Sequence, residues 1–317
     1  MSIEPPAANV VFLRDFYAAF LNGDADTAAK FVTPDFIMHV PGRGMNAGEY
    51  WGRTGLKKFM GNISAYNGGT FSMKIPAMSV EDHTAFTREV VVINRKQDPS
   101  RLWTLRFIMH YEFKNEGISE AWTIPEDQYL YDTYWNPTSS EKTSDSAQQI
   151  ESMVGPSLPE VAGATSSDTK TLINAFYNRF WNGDMAGMKQ LVADDIVFYV
   201  PGRSHLAGEY RTWNGYLAFR DKLMQLAGDK YKLEIASIAA GETDAFVKEY
   251  VRMNRKWDPT VQTIFVILHF QVRRGKIARI NDIPVDTYGY EAFFTPLPEL
   301  ARVLQHGRSV DKAHQEA

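Results

Sequence analysis

The alternation of apolar and polar residues changes once along the first 136 positions. Residues 9–31 carry an apolar stripe at helical spacing, which predicts an amphipathic helix. The stripe consists of Val10, Leu13, Phe16, Tyr17, Phe20 and Leu21. The Asn-Gly-Asp segment that follows supplies a glycine stop, and Asp24 can cap a short second helix over 25–31. From Pro34 onward the pattern is extended, apart from a helix around 55–62, so we predict an α+β fold with one antiparallel sheet.

The whole pattern occurs twice. FYAAFLNGD, VPGR, AGEY and INRKQDP return as FYNRFWNGD, VPGR, AGEY and MNRKWDP, each 160 residues later. IPEDQY returns as IPVDTY after 159 residues, so we place the loss of one residue near the end of the repeat. A match of this length indicates a duplicated domain rather than a solenoid unit. We predict domains over 8–136 and 168–294, a linker rich in Ser, Thr, Pro and Gly over 137–167, and a tail over 295–317.

Composition narrows the classes of partner. The 19 Phe, 15 Tyr and 7 Trp can fill two cores and also line a pocket. The net charge of −4, with both signs mixed along the chain, argues against a nucleic-acid partner, and no apolar run approaches the roughly 18 residues that span a bilayer. The chain has no cysteine and no signal-peptide pattern at its start, so we expect a cytoplasmic protein without a membrane partner.

Three segments together resemble a known family. They are the helical FY..F.NGD opening, the strand that ends in VPGR before AGEY, and the closing GISEAWTIPEDQYLYDTYW of residues 117–135. They are similar to the SnoaL-like and ketosteroid-isomerase-like branch of the NTF2-like superfamily. The resemblance implies two tandem cone-shaped α+β barrels, in which helices pack into a curved, mainly antiparallel sheet around a cavity. It also implies that the two copies pair as an intramolecular pseudo-dimer, and it leaves a further homodimer open.

The resemblance bounds the function without choosing a reaction, because the fold serves several chemistries. The family includes cyclases, isomerases, dehydratases, epoxide hydrolases and non-catalytic binders. We expect general acid/base chemistry without a cofactor on a small hydrophobic, polyketide- or terpenoid-like molecule. The alternatives are epoxide hydrolysis, binding of an apolar ligand without turnover, and a scaffold for protein contacts. No HExxH motif, paired histidine spacing or phosphate-binding glycine loop occurs, so we expect no metal and no cofactor.

The repeated VPGR…AGEY phrase has an architectural and a catalytic interpretation. Its glycines permit backbone angles closed to other residues, and Arg43 and Arg203 could form loop-closing ion pairs with Glu49 and Glu209. In the ketosteroid isomerases an aspartate precedes the proline of this phrase. Valine holds that place in both copies here, so the isomerase base is absent. The neighbouring His39 could move protons near neutral pH or could be a satisfied core histidine.

Two long strands carry further candidates. Glu89 and Glu249 alternate with apolar residues, so desolvation would raise their pKa values; the alternative is a buried ion pair with Arg43 and Arg203 or a lysine. On the next strand, aligning the two copies at a spacing of 160 residues matches Arg106 and His110 with apolar residues of the second copy. The same alignment places His269 on the opposite face of the strand. The two cavities are therefore predicted to differ, with Arg106 and His110 catalytic if their face looks inward and solvated if it looks outward.

The last strand resembles the segment that carries the aspartate of SnoaL-type cyclases. Counted back from the shared Ile-Pro, Asp282 takes that place in the second copy, opposite Thr123 in the first. The candidate catalytic residues are His39, Glu89, Arg106, His110, Glu249, His269 and Asp282. The candidate substrate-binding residues are Tyr50, Trp103, Trp122, Tyr199 and Tyr210.

Overall fold

The computed structural model describes residues 5–114, 117–136 and 167–295. The first half contains α1 (Pro5–Leu21), α2 (Ala25–Ala28), β1 (Val32–Val40), β2 (Gly48–Trp51), α3 (Gly52–Tyr66), β3 (Asn67–Val80), β4 (Thr84–Arg95), β5 (Asp98–Lys114), β6 (Gly117–Pro125) and α4 (Gln128–Tyr134). The second half contains α5 (Ser167–Trp181), α6 (Met185–Leu191), β7 (Val192–Val200), β8 (Gly208–Arg211), α7 (Thr212–Leu226), β9 (Ala227–Ala240), β10 (Asp244–Arg255), β11 (Asp258–Arg273), β12 (Lys276–Pro284) and α8 (Thr287–Phe294). Apart from residues 167 and 295, the predicted linker and tail lie outside the described residues.

Each half forms a six-stranded sheet with the same topology. The strand orders are β2-β1-β6-β5-β4-β3 and β8-β7-β12-β11-β10-β9. Neighbouring strands are antiparallel except for β1 with β6 and β7 with β12, which are parallel. The sheets are therefore mainly antiparallel, and the α+β prediction with two tandem copies is confirmed.

The predicted helical stripe packs into the curve of the first sheet. Leu13 and Tyr17 are almost fully buried on α1, and Ile173 and Tyr177 take the same places on α5. Asp24 caps α2 by accepting a hydrogen bond from the backbone N–H of Thr27 at 2.9 Å, as expected. One amphipathic helix in each half thus covers the inner face of its sheet and leaves the outer face for other contacts.

The lost residue lies at the irregular start of β11, just after the hairpin turn, not near the end of the repeat as predicted. Arg95 pairs with Asp98 and Arg255 pairs with Asp258, so the turns begin alike. Beyond the turn Ile93 faces Trp103, whereas the matching Met253 faces Gln262, one residue earlier. The spacing along β5 and β11 is therefore 159, and the predicted pairing of their faces is wrong. Because side chains alternate along a strand, an alignment that is wrong by one residue matches each face of β5 with the opposite face of β11.

The two halves pack against each other through the outer faces of their sheets. An apolar cluster joins residues of both sheets: Ala77, Phe86, Ile108 and Ile124 with Ala239, Phe246, Ile267 and Ile283. Phe86 and Phe246 occupy the same position in the two copies, and their rings stack with centroids 5.5 Å apart and planes 7° apart. An intramolecular pair of this kind is what the resemblance implies.

The arginines of the repeated VPGR phrase stabilise the packing of the two halves. The Arg43 guanidinium lies 3.8 Å from the ring centroid of Tyr288, and Arg203 lies 3.8 Å from that of Tyr129 in the opposite half. Gly42 has a φ of 109°, and a Cβ there would meet the Asp132 carboxylate at 2.2 Å. The architectural interpretation of the glycines is therefore supported by the backbone angles.

The predicted ion pairs of this phrase are absent from the described part of the chain. Glu49 lies 3.4 Å from the Nδ1 atom of His39, and Glu209 pairs with Arg211. Arg43 and Arg203 reach across the interface instead, where an aromatic ring of the other half receives each guanidinium.

Candidate functional site

Each curved sheet encloses a cavity between its inner face and its helices, and the two cavities differ in size. The cavity volume is about 310 Å³ in the second half and about 80 Å³ in the first. On β5 the first cavity is lined by Phe107, where β11 places the smaller Val266. The bulkier side chain on β5 contributes to the smaller volume of the first cavity.

Two carboxyl groups line the apolar second cavity. Glu249 from β10 and Asp282 from β12 both line it and are 3% and 8% exposed. Glu249 accepts a hydrogen bond from the hydroxyl of Tyr177 on α5. Asp282 Oδ1 is buried and has no hydrogen-bond partner among the described residues. An unpaired buried carboxyl is costly for stability, and such groups concentrate at functional sites.

Burial changes the protonation of both carboxyl groups. Burial alone raises the pKa of Asp282 to about 7. Burial also raises the pKa of Glu249 to about 8; the Tyr177 hydrogen bond opposes this change and the charge of Asp282 adds to it. Because a second negative charge in an apolar cavity is unfavourable, the two groups together hold at least one proton near neutral pH. The site can therefore both accept and donate a proton.

The first cavity keeps the glutamate but surrounds it with hydroxyl groups. Glu89 accepts a hydrogen bond from Tyr17, whose hydroxyl also lies 2.7 Å from Thr87 Oγ1 and 2.6 Å from the Tyr111 hydroxyl. Burial raises the pKa of Glu89 to about 7, while the hydrogen bonds from Tyr17 and Thr87 oppose this change. Thr123 stands where the second half has Asp282. The first cavity therefore has one carboxyl group in a closed network and no second one.

The predicted raised pKa values of Glu89 and Glu249 agree with this environment, but the alternative of a buried ion pair is wrong. Tyrosine hydroxyls, not Arg43, Arg203 or a lysine, contact the two carboxyl groups. The tyrosines come from α1 and α5, more than 70 residues away in sequence. Their position in the FY motif, on the inner face of the helix, is the signal that could have identified them.

The second cavity also has polar groups that the sequence interpretation missed. Arg220 from α7 and Tyr231 from β9 line it, where the first copy has Met60 and Phe71. Arg220 is four residues after Tyr216 and three before Leu223, so a cation interrupts an apolar helical stripe that faces the cavity. That interruption was the available signal.

Arg106 and His110 lie on the outer face of β5, because Leu105, Phe107 and Met109 face the cavity. Their inward-facing interpretation is therefore wrong. His110 is stacked between Phe86 and Trp122 with centroid distances of 4.4 Å and 4.6 Å. Burial and the positive charge of Lys248 hold the pKa of His110 well below its usual range.

The other two candidate histidines also lie outside the cavities. His269 is the counterpart of His110; its Nε2 lies 2.7 Å from Asp244 Oδ1, and its ring stacks on Phe246. His39 lies on β1, with its Nε2 2.9 Å from Glu120 Oε1 and its ring stacked on Trp122. These histidines therefore belong to the outer faces of the sheets.

None of the five candidate substrate-binding residues is among the side chains that line the two apolar cavities. Tyr50 and Tyr210 donate hydrogen bonds to the backbone carbonyls of Asn46 and Leu206. Trp103 is buried, with the guanidinium groups of Arg95 and Arg101 over its ring. The remaining two, Trp122 and Tyr199, lie at the interface between the halves.

Two absences hold within the described ranges. No group of three or more His, Asp or Glu side chains there is arranged to hold a metal ion. No helix among those residues is both long enough and apolar enough to cross a membrane.

Comparison with known proteins identifies the family of the two domains. A family model described as SnoaL-like domain matches residues 13–121 and again 173–280. No curated protein sequence matches the chain. Solved structures match one half at a time. Bal32a, from a soil-derived mobile gene cassette, is 24% identical, with 42% of this chain and 100% of Bal32a covered and a TM-score of 0.39.

Two further structures show the same partial coverage. An NTF2-like protein from Burkholderia xenovorans is 21% identical, with 42% of this chain and 100% of that chain covered and a TM-score of 0.36. A putative polyketide cyclase from Pseudomonas putida is 19% identical, with 39% and 96% covered and a TM-score of 0.32. The family model matches both halves over most of their length, so the chain belongs to the SnoaL-like domain family and carries that domain twice in tandem.

Proposed function

We propose that the second domain catalyses cofactor-independent general acid/base chemistry on a small, uncharged and largely hydrophobic molecule. The reaction is a cyclisation, isomerisation or dehydration of a polyketide- or terpenoid-like substrate. The observation that carries this proposal is the buried Asp282, whose Oδ1 has no hydrogen-bond partner among the described residues, in the same cavity of about 310 Å³ as Glu249. A cavity that served only to hold an apolar molecule would gain nothing from two desolvated carboxyl groups.

The hydrogen bonding of the two carboxyl groups divides the chemical work between them. Asp282, whose Oδ1 has no hydrogen-bond partner among the described residues, is the proton acceptor, and desolvation makes its carboxylate a stronger base than in water. Glu249 donates a proton, and the Tyr177 hydroxyl stabilises the carboxylate that remains. Removal of a proton next to a carbonyl leaves negative charge on oxygen, which Arg220 on the cavity wall stabilises.

The lining supports this substrate class. Most of the wall is aromatic or aliphatic, and the volume lies at the lower end of ligand pockets, which span roughly 300–1,000 Å³. A charged substrate would have to lose its hydration on entry, whereas an uncharged polycyclic or terpenoid-like one would not. The groups at the reacting centre are few and lie on the two strands that flank β11 and on two helices, so their geometry is fixed by the fold.

The test uses 5-nitrobenzisoxazole, an uncharged aromatic carbon acid. Removal of its ring proton by a carboxylate breaks the N–O bond and releases a coloured phenolate. We expect the wild-type chain to accelerate this ring opening and Asp282→Asn to lower kcat/KM by about 100-fold or more, the usual contribution of a positioned base. Thr123→Val, at the matching position of the first domain, should leave the rate unchanged.

Two outcomes would contradict the proposal. Equal rates for the wild-type chain and Asp282→Asn would remove Asp282 from the chemistry. A wild-type chain that binds a fluorescent apolar dye in the second cavity, yet opens the ring no faster than free acetate, would instead support binding without turnover. Dye displacement by the carbon acid, measured in parallel, separates a failure of binding from a failure of proton transfer.

A further inference from the structure

A third cavity lies between the two halves and is polar. Its volume is about 290 Å³, and its walls come from Arg88, Glu126, Tyr199, Gln271, Arg279, Asn281 and Ile283. Apart from the aliphatic Ile283, each of these side chains can donate or accept a hydrogen bond. The cavity shares no lining residue with the two apolar cavities and is therefore a separate site.

The pseudo-symmetry of the chain shows what this space would hold. The equivalent place on the first sheet is filled by the indole of Trp122. The indole is stacked on His39 at 5.1 Å and on His110 at 4.6 Å, and Lys248 of the other half lies 4.3 Å from its ring centroid. An aromatic ring between aromatic neighbours, with a cation over it, is thus a stable arrangement at this interface.

The second sheet lacks that ring. Asn281 stands in place of Trp122, and its short side chain bonds to His269 Nδ1 at 3.2 Å and accepts from Arg279 at 2.8 Å. Tyr199 occupies the place of His39, and Arg88 of the first half occupies the place of Lys248. The aromatic and cationic neighbours of the missing ring are therefore kept while the ring itself is gone.

The charges of this cavity favour a single negative charge on its ligand. The lining contains two cations, Arg88 and Arg279, and one anion, Glu126, which leaves one positive charge. Arg88 is held by Glu126 through two hydrogen bonds, at 2.5 Å and 3.1 Å. Among the described residues, Arg279 has one looser carboxylate partner, Glu209, 3.7 Å away, and Glu209 also pairs with Arg211.

Arg279 is the residue that changes the character of the site. Its counterpart on the first sheet is Glu120, whose carboxylate lies 2.9 Å from His39 Nε2. The replacement of an acid by an arginine at this point reverses the local charge. The guanidinium group presents several N–H donors in a plane, which suits a carboxylate ligand.

We propose that this interdomain cavity binds a small aromatic monocarboxylate. The ring takes the place of the missing indole, against Tyr199 and with the Arg88 guanidinium over it, as Lys248 lies over Trp122. The carboxylate meets Arg279, and the amides of Gln271 and Asn281 complete its hydrogen bonds. The site is separate from the proposed catalytic one, so the ligand need not be a substrate.

The experiment is a titration of the full chain with 4-fluorobenzoate, followed by ¹⁹F NMR, which detects weak binding. We expect saturable binding to one site. Arg279→Gln should weaken it at least about tenfold, because one charge-assisted hydrogen bond is lost. Asn281→Trp, which restores the indole of the other half, should abolish binding. The uncharged 4-fluorobenzamide should bind at least about tenfold more weakly than 4-fluorobenzoate.

Matched controls make the test decisive. Glu120→Gln changes the pseudo-equivalent position on the first sheet and should leave binding unchanged. Asp282→Asn changes the apolar cavity and should also leave it unchanged, so the outcome does not depend on the proposed catalytic function. If Asn281→Trp does not fold, Arg279→Gln still tests the site. Absence of saturable binding to the wild-type chain, or equal affinity in Arg279→Gln, would overturn the proposal.

Discussion

The two apolar cavities share one arrangement, in which a tyrosine of the first helix donates a hydrogen bond to a glutamate of the sheet. In the first half the Glu89 network includes Tyr17, Thr87 and Tyr111. In the second half Val247 and Phe270 replace the threonine and the second tyrosine, and an aspartate is added. The same pair is thus part of a closed hydrogen-bond network in one cavity and faces a second carboxyl group in the other.

The two networks differ in how completely their polar groups are hydrogen-bonded. A fully bonded polar cluster stabilises its core and specifies one arrangement. The second cavity lacks two of these hydroxyl groups and adds Asp282, whose Oδ1 has no hydrogen-bond partner among the described residues, at a cost in stability. The second cavity is also the larger of the two. Two predictions test this contrast, and a third tests the contacts between the halves.

The largest effect should come from an exchange of the bulky and small residues at one position. Phe107 packs edge-on against Tyr131, with ring centroids 5.5 Å apart, in the narrow first cavity. We expect Phe107→Val to lower the free energy of unfolding by about 3 kcal/mol, because it removes buried contacts and enlarges the cavity. The reverse change, Val266→Phe, should alter the free energy by less than about 1 kcal/mol, because the second cavity has room.

Urea denaturation of the two variants measures this difference. Val266→Phe should also reduce dye binding in the second cavity, whereas Phe107→Val should not. Equal losses of stability would mean that the second cavity has no room for the ring that Val266→Phe adds, and the size contrast would carry no functional meaning.

The next effect is the dependence of stability on pH. Burial raises the pKa of Asp282 from 3.8 to about 7, so the folded protein keeps a proton that the unfolded chain releases. The contribution of Asp282 to the free energy of unfolding has its full value below about pH 4. It falls as the pH rises towards 7, by up to about 1.4 kcal/mol per pH unit. Asparagine does not titrate. The stability of Asp282→Asn relative to the wild-type chain should therefore rise by about 2 kcal/mol between pH 5 and pH 7.

The control for this prediction is Thr123→Asn in the first half. Threonine and asparagine do not titrate in this range, so the difference between this variant and the wild-type chain should stay constant with pH. Parallel pH curves for Asp282→Asn and the wild-type chain would mean that Asp282 is hydrated and has an ordinary pKa.

The sequence predicts the repeat, the α+β order and the buried glutamates, because these follow from residue type and periodicity within one element. It fails where one residue is lost. DPSRLW and DPTVQT differ at the irregular start of a strand, where no alternation marks the missing position, and a slip of one residue reverses every face beyond it. With the gap placed there, His110 aligns with His269 and both lie on the outer face.

The interdomain partners are a second failure, with a different cause. Arg43 and Glu49 are close in sequence, so a local ion pair was the natural expectation. The partner of Arg43 is Tyr288, which lies in the other half of the chain. No pattern within one repeat can reveal which residues of the second repeat will cover it, because the packing of the two sheets decides that.

The smallest effect concerns the two hydrogen bonds that tyrosines make between the halves, Tyr288 to Asp132 and Tyr129 to Glu291. They are related by the repeat, but the two carboxylates accept different numbers of hydrogen bonds. Tyr288 donates to Asp132 at 2.6 Å, and Asp132 also accepts from the backbone N–H groups of Arg43 and Gly44. Tyr129 donates to Glu291, which otherwise accepts from the backbone N–H of Arg203. Loss of one donor should matter more where fewer remain.

We therefore expect Tyr129→Phe to lower the free energy of unfolding by about 1.5 kcal/mol and Tyr288→Phe by about 0.5 kcal/mol. Both changes keep the ring that receives an arginine, so only the hydroxyl is tested. Urea denaturation of the full chain at neutral pH gives the comparison. A larger loss for Tyr288→Phe would mean that the contact at Asp132 depends on its tyrosine, and that the backbone donors to Asp132 do not compensate. The carboxylate with more hydrogen bonds would then be the more sensitive to the loss of one.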